Sequence, residues 1–186
     1  METEGAVTYP AAAVARPLRP YAAMLAGLLA LALPLVYGFS GDALIAVGFA
    51  VVVVALATVD LEERRIPNRI VLPAAVAALV LQGIVNPDRM LEWVLAGIVA
   101  AAFFLVPAVA FRGSVGMGDV KLTLLMGFVL GVGVVTALLV ATFAAGAAAI
   151  VVLIREGAAG RKHALPYGPF LAGGALVALF VSSPLT

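Results

Sequence analysis

The stretch ALIAVGFAVVVVALATV, Ala43 to Val59, carries no charge and ends on Asp60, after which the chain turns polar at once: LEERRIPN, Leu61 to Asn68. A run of this length is near the roughly 20 apolar residues that cross a bilayer core. It is apolar on every side, so it has no solvent face to offer. Further apolar segments follow the same plan, at about 21–38, 69–85, 91–111, 119–132, 134–154 and 166–183. The whole chain of 186 residues is 65% hydrophobic and 11% charged, with mean hydropathy +1.19. Soluble domains run nearer 45–50% apolar and about 25% charged. The fold class expected is therefore all-α, a polytopic bundle of about seven transmembrane helices (six on a shorter count) in a lipid bilayer.

The count turns on Lys121 to Ile154, which contains no charge after its first residue. As one helix of about 34 residues it would run roughly 50 Å, against a core of about 30 Å. Gly131-Val132-Gly133 is the natural break. With that break and the amino terminus inside, Arg16, Arg19, Arg64, Arg65, Arg69, Arg112, Lys121, Arg155, Arg161 and Lys162 share the inner side and only Arg89 lies outside. That distribution obeys the positive-inside rule. Residues 1–19 are Ala/Pro-rich without periodicity and read as a disordered cytoplasmic tail, leaving 20–186 as the membrane domain. Arg16, Arg19 and Ala30-Leu31-Ala32 give the first segment some character of a signal peptide. Its long apolar stretch and the span that follows favour a retained anchor.

Composition closes several routes. Without cysteine there is no disulfide, thiolate metal site or cysteine nucleophile. A single histidine, His163, cannot supply the two of a helical zinc-protease motif. The few basic residues are scattered among loops, which argues against nucleic-acid binding. No metal or cofactor is expected.

Two acidic residues stand out. Asp60 ends one apolar run, and Asp119 ends Gly116-Met117-Gly118-Asp119 and opens another. A carboxylate at membrane depth is costly and marks a candidate functional site. Either count of spans puts both on the same, cytoplasmic, face. Two neighbouring carboxylates do not both ionise cheaply, so such a pair shares a proton. One member then acts as base on a water while the other donates to a carbonyl. The residues alone also admit helix-end charges, or a relay for protons or ions. Asp60 suits the first of these poorly, since a negative charge at a helix C-terminus opposes the dipole.

Three motifs narrow the choice. Asp60-Leu61-Glu62-Glu63-Arg64-Arg65-Ile66-Pro67-Asn68, then Gly116-Met117-Gly118-Asp119-Val120-Lys121-Leu122, then Leu165-Pro166-Tyr167-Gly168-Pro169-Phe170-Leu171-Ala172-Gly173-Gly174 resemble, in order and spacing, the type IV prepilin peptidases. These are membrane aspartic proteases with a Gly-x-Gly-Asp motif, and the resemblance covers roughly residues 42–182. It implies a peptidase that removes the basic leader of prepilins or pilin-like proteins, cutting after a glycine just before the substrate's apolar helix. By residue match, Asp60 and Asp119 are similar to the family's catalytic aspartates, and Gly116 and Gly118 to its motif glycines. Longer members carry a cysteine-containing cytosolic domain associated with methylating the new amino terminus. Here the first inter-span loop is only about Phe39 to Gly41 and cysteine is absent, so a peptidase-only form is expected.

Other residues are candidates for shaping the site or binding substrate. Pro67 biases Ile66 away from helix, and Asn68 is suited to N-cap the next span. Pro166, Gly168 and Pro169 open the last span on the inner face. Lys121 either acts on the charge of Asp119 or snorkels to the interface. Glu62 and Glu63 are positioned to steer a basic leader, but Arg64 and Arg65 beside them favour local neutralisation. Gly41-Asp42 and Asp88-Arg89 belong to the outer face. Gly127, Gly131 and Gly146 are expected at helix contacts. The rivals to the peptidase are a small proton-coupled transporter and a non-catalytic scaffold of a pilus or secretion machine.

Overall fold

The computed structural model describes residues 18–111, 116–157 and 166–181. Most of the tail expected at 1–19 lies outside these, as do Arg16, Arg112, Arg161, Lys162, His163 and Leu165. Among the described residues seven α-helices follow in order: α1 Arg19–Tyr37, α2 Gly41–Glu63, α3 Asn68–Val85, α4 Met90–Ala110, α5 Met117–Leu130, α6 Val134–Glu156 and α7 Gly168–Val181. Short 3-10 turns, Pro87–Arg89 and Gly131–Gly133, join α3 to α4 and α5 to α6. The apolar segments read from the sequence thus correspond to helices one for one. By length and composition, Arg19–Tyr37, Gly41–Glu63, Asn68–Val85, Pro87–Ala110 and the run Met117–Glu156 can cross a bilayer.

That last run is broken where expected. Gly131 has φ +54, a left-handed conformation, and its Cα faces Glu92 and Trp93 so closely that a Cβ would lie 2.6 Å from Glu92 Oε1. Arg89 donates to both Glu92 oxygens at 3.0 Å, and the Val132 N–H approaches the same carboxylate at 3.5 Å. The ends of α4, α5 and α6 remote from Asp119 are thereby tied together. Among the described residues α5 and α7 are the shortest α-helices, at 14 residues each, about 21 Å against a core of about 30 Å.

Burial separates inner helices from outer ones. α5 buries residues on every side, including Val120, Leu122, Thr123, Leu125, Met126 and Val129. α2 and α7 are similarly enclosed. The remaining helices turn large apolar side chains outward, Leu35, Phe143 and Ile154 among them. Such exposure suits lipid, where it costs nothing. Small residues set the closest approaches. A Cβ on Gly127 would strike the Gly97 backbone on α4, and one on Gly174 would strike the Ala137 carbonyl on α6. Gly146 departs from expectation, since its Cα faces open space.

At the end of the bundle remote from Asp60, Asn86 Nδ2 donates to Asp42 Oδ1 at 2.7 Å and to Gln82 Oε1 at 3.0 Å, and Gln82 Nε2 donates to the Val129 carbonyl at 3.3 Å. Tyr37 donates to the Leu179 carbonyl at 2.6 Å. Asp42, read as unrelated to Asp60 and Asp119, has this structural employment.

Candidate active site

Asp60 lies in the final turn of α2, which continues past the apolar run to Glu63. The helix stops because Arg64 takes a left-handed conformation, φ 53, with its N–H donating to the Asp60 carbonyl at 2.9 Å. This non-glycine residue with positive φ is of an uncommon kind. Its effect is to end α2 within one turn of Asp60 and turn the chain away at Arg64 and Arg65. Glu63 then pairs with Arg65 at 3.1 Å and Glu62 with Arg19 at 3.5 Å. Both pairs are exposed and contribute little to stability.

Asp119 reaches the same end from α5. Gly116 is the N-cap in extended conformation, and its carbonyl accepts from the Asp119 N–H at 3.0 Å. Asp119 is the third residue of the helix, and its carboxylate takes the Gly116 N–H in return. This is the reciprocal half of a capping box, with a carboxylate at the positive end of the dipole. The carboxylates of Asp119 and Asp60 are near enough for their charges to act on one another. Asp60 is almost wholly enclosed, at 6% exposure, whereas Asp119 is partly open.

The third element is Gly168. Its N–H donates to Asp60 Oδ2 at 3.1 Å. A Cβ at this position would lie 2.6 Å from that oxygen and 2.9 Å from Asp60 Cγ. Glycine is required here for close approach, since any side chain would occupy the space of the carboxylate. Gly118 plays a comparable part on the other side: its Cβ would lie 2.8 Å from Ile66 Cβ and 3.4 Å from Ile66 N. The second glycine of the motif therefore lets the turn after α2 pack directly on the start of α5. Neither approach is visible in local sequence, and Ile66 acquires its role only through this contact.

Lys121 Nζ donates to Asn68 Oδ1 at 2.8 Å. This corrects one expectation. Asn68 is not the N-cap of α3; Pro67 holds that place, and its carbonyl accepts from Ile70 and Val71. Asn68 stands inside the helix and gives its acceptor to Lys121, bracing α3 against α5. Pro166 leads into Tyr167, whose carbonyl accepts from Phe170 at 3.0 Å and from Leu171 at 3.1 Å to start α7. Tyr167 hydroxyl meets Thr142 Oγ1 at 3.2 Å, and its ring lies 5.9 Å from that of Phe104. Pro169 faces away from this contact, into a groove with Leu18, Tyr21 and Thr58.

Three buried helices thus bring two carboxylates and a backbone donor to one end of the bundle. A carboxylate pair is equipped for acid–base work on water, with one member ionised and its partner protonated.

Comparison with known proteins agrees with the motif reading. The model of the type IV leader peptidase family matches residues 46–154, more than half of the chain, including Asp60 and Gly116–Asp119. A protein of Bacillus subtilis named prepilin leader peptidase/N-methyltransferase is 30% identical over 145 residues, covering 76% of this chain and 57% of its own length. One of the same name from Burkholderia pseudomallei strain 1026b is 31% identical over 168 residues, covering 87% of this chain and 52% of its own. The chain therefore spans little more than half the length of these relatives. No solved structure gives a significant match. On the strength of the family match, this chain belongs to the type IV leader peptidase family.

Proposed function

We propose that the chain is a membrane aspartic endopeptidase that removes the basic leader of a prepilin or pilin-like protein at the cytoplasmic face of the cell membrane. The observation that carries this reading is that Asp60 and Asp119 stand at one end of the bundle within electrostatic reach of one another, with the Gly168 N–H on Asp60 Oδ2. One aspartate, ionised, takes a proton from water as it attacks the scissile carbonyl. The other, protonated, donates to the carbonyl oxygen; as the C–N bond breaks, the proton taken from water passes to the leaving amine and the second aspartate recovers its own from the collapsing diol. Gly168 fixes the Asp60 carboxylate, Gly116 that of Asp119, and Gly118 with Ile66 sets the distance between their helices.

Charge supports the orientation. Arg19, Arg64, Arg65, Arg69 and Lys121 flank helix ends on the aspartate side, and Arg89 flanks the opposite ends. The positive-inside rule then puts the aspartates at the cytoplasm. There the basic leader remains while the apolar helix of the substrate lies in the bilayer.

The test is reconstitution of the purified protein in vesicles with a prepilin-like substrate, followed by mass mapping of the products. We expect one cut, after glycine and just before the apolar helix, with an unmethylated new amino terminus. Intact substrate across several prepilin-like sequences contradicts the proposal.

A further inference from the structure

We propose that the lipid-facing groove between α4 and α6 seats the apolar helix of the substrate, with its cleaved end at Thr142 and Phe103. The inference rests on the peptidase reading and supplies the surface that reading lacks. A substrate whose apolar helix begins at the scissile bond must lie beside the bundle with one end level with Asp60 and Asp119. It needs a depression of helical size, running along the membrane normal and ending at the site.

The α4–α6 groove meets both conditions. Its volume is about 910 Å³, and its walls are Leu95, Val99 and Phe103 on one side and Val135, Leu139 and Thr142 on the other. From Leu91 to Phe103 the α4 wall runs about 18 Å. A helix of about 10 Å diameter and that length occupies about 1,400 Å³, so the groove takes roughly two-thirds of it. The groove between α1, α2 and α7 holds about 300 Å³ and that over α2, α3 and α5 about 160 Å³. Neither receives more than a fraction of a helix.

Continuity with the site is direct. Phe103 meets Phe104 edge-on at 5.7 Å, and Phe104 packs on Tyr167 at 5.9 Å. Thr142, on the opposite wall, bonds the Tyr167 hydroxyl at 3.2 Å. The residue after Tyr167 is Gly168, the donor to Asp60 Oδ2. Both walls of the groove thus end on the segment that holds Asp60. At the other end Glu92 closes it, its carboxylate near the Val132 N–H where α6 departs from α5. Apolar walls with polar groups only at the two ends match an apolar helix with polar flanks.

The experiment uses the full chain in membranes, with Asp119→Asn to retain uncleaved substrate. A benzophenone amino acid replaces Val99, Leu139, Leu25 or Val76 in turn. The expected result is substrate adducts from Val99 and Leu139, mapping to the substrate's apolar helix. Leu25, in the α1 groove, and Val76, on the lipid face of α3, should give none. Adducts from Leu25 in place of Val99, or lipid adducts alone from Val99, overturn the proposal. In the otherwise native chain, Val99→Trp should lower kcat/KM for the membrane-embedded substrate by about tenfold or more, because it fills the groove. Val76→Trp should leave it unchanged; equal cleavage by Val99→Trp and the native chain overturns the proposal. Absence of cleavage by the native chain sinks the peptidase reading, and the groove's occupant with it. Native cleavage without groove adducts sinks the groove alone.

Discussion

Replacing Gly168 by alanine adds one methyl group and nothing else, at a site where backbone conformation imposes no strain. That methyl would stand 2.6 Å from Asp60 Oδ2, 2.9 Å from Cγ and 3.2 Å from Cβ. The conflict reaches the root of a short side chain on a buried helix, so rotating the carboxylate tip does not relieve it. Asp60 or the start of α7 must retreat by about 0.5–1 Å to restore ordinary contact. The Gly168 N–H, now 3.1 Å from the carboxylate, would then pass beyond hydrogen-bond range. A misplacement near 1 Å in a catalytic group costs on the order of 10²-fold in rate. Gly168→Ala is accordingly expected to lower kcat/KM by about 10²-fold, with the protein still inserted and folded. Gly173→Ala is the matched control on the same helix, since its Cβ would meet nothing within 4 Å. The assay is cleavage of a prepilin-like substrate at equal membrane levels of each variant. Activity of Gly168→Ala within twofold of Gly173→Ala would refute the reasoning, because Asp60 would then not depend on that contact.

Other expectations follow from the same geometry. Gly118→Ala drives a methyl against Ile66 Cβ at 2.8 Å and should cut cleavage by about tenfold, on the scale of overpacking. Adding Ile66→Ala should not restore it, because alanine keeps the offending Cβ; full rescue in a kinetic assay would contradict this contact. Lys121→Met removes the 2.8 Å bond to Asn68 Oδ1 at an exposed position, and should reduce activity only about two- to fivefold. Loss of all cleavage would give Lys121 a direct part in the chemistry. Gly127→Ala forces α4 from α5 at Gly97 and should cost about 1–3 kcal/mol of stability. Thermal unfolding in detergent checks it, and an unchanged midpoint would contradict the packing described.

Much of the fold was legible because a bilayer admits few solutions. Apolar runs of the right length become helices, and the charges between them set their direction, so even the Gly131-Val132-Gly133 break was readable. The approach of Asp60 to Asp119 was legible only through the three motifs. No periodicity links α2 to α5, and Gly168 touches a residue 108 positions away. The reading of Asn68 as a cap failed because a local preference lost to a distant lysine. The packing of Ile66 on Gly118 was hidden for a similar reason, since a glycine's spare volume shows only when its neighbour is known. The end of α2 lies about one turn beyond the apolar run. Hydropathy falls at Asp60, but the helix stops where Arg64 adopts a left-handed angle.

The central claim, that Asp60 and Asp119 act as one unit, is tested most directly by measuring cleavage with Asp60→Asn, Asp119→Asn and the double variant. The host should lack a prepilin peptidase of its own, and membrane levels should be matched. If the pair shares one task, each single change abolishes cleavage and the double is no worse, the non-additivity expected of residues working together. Substantial cleavage by either single variant, or losses that simply multiply in the double, would contradict the account.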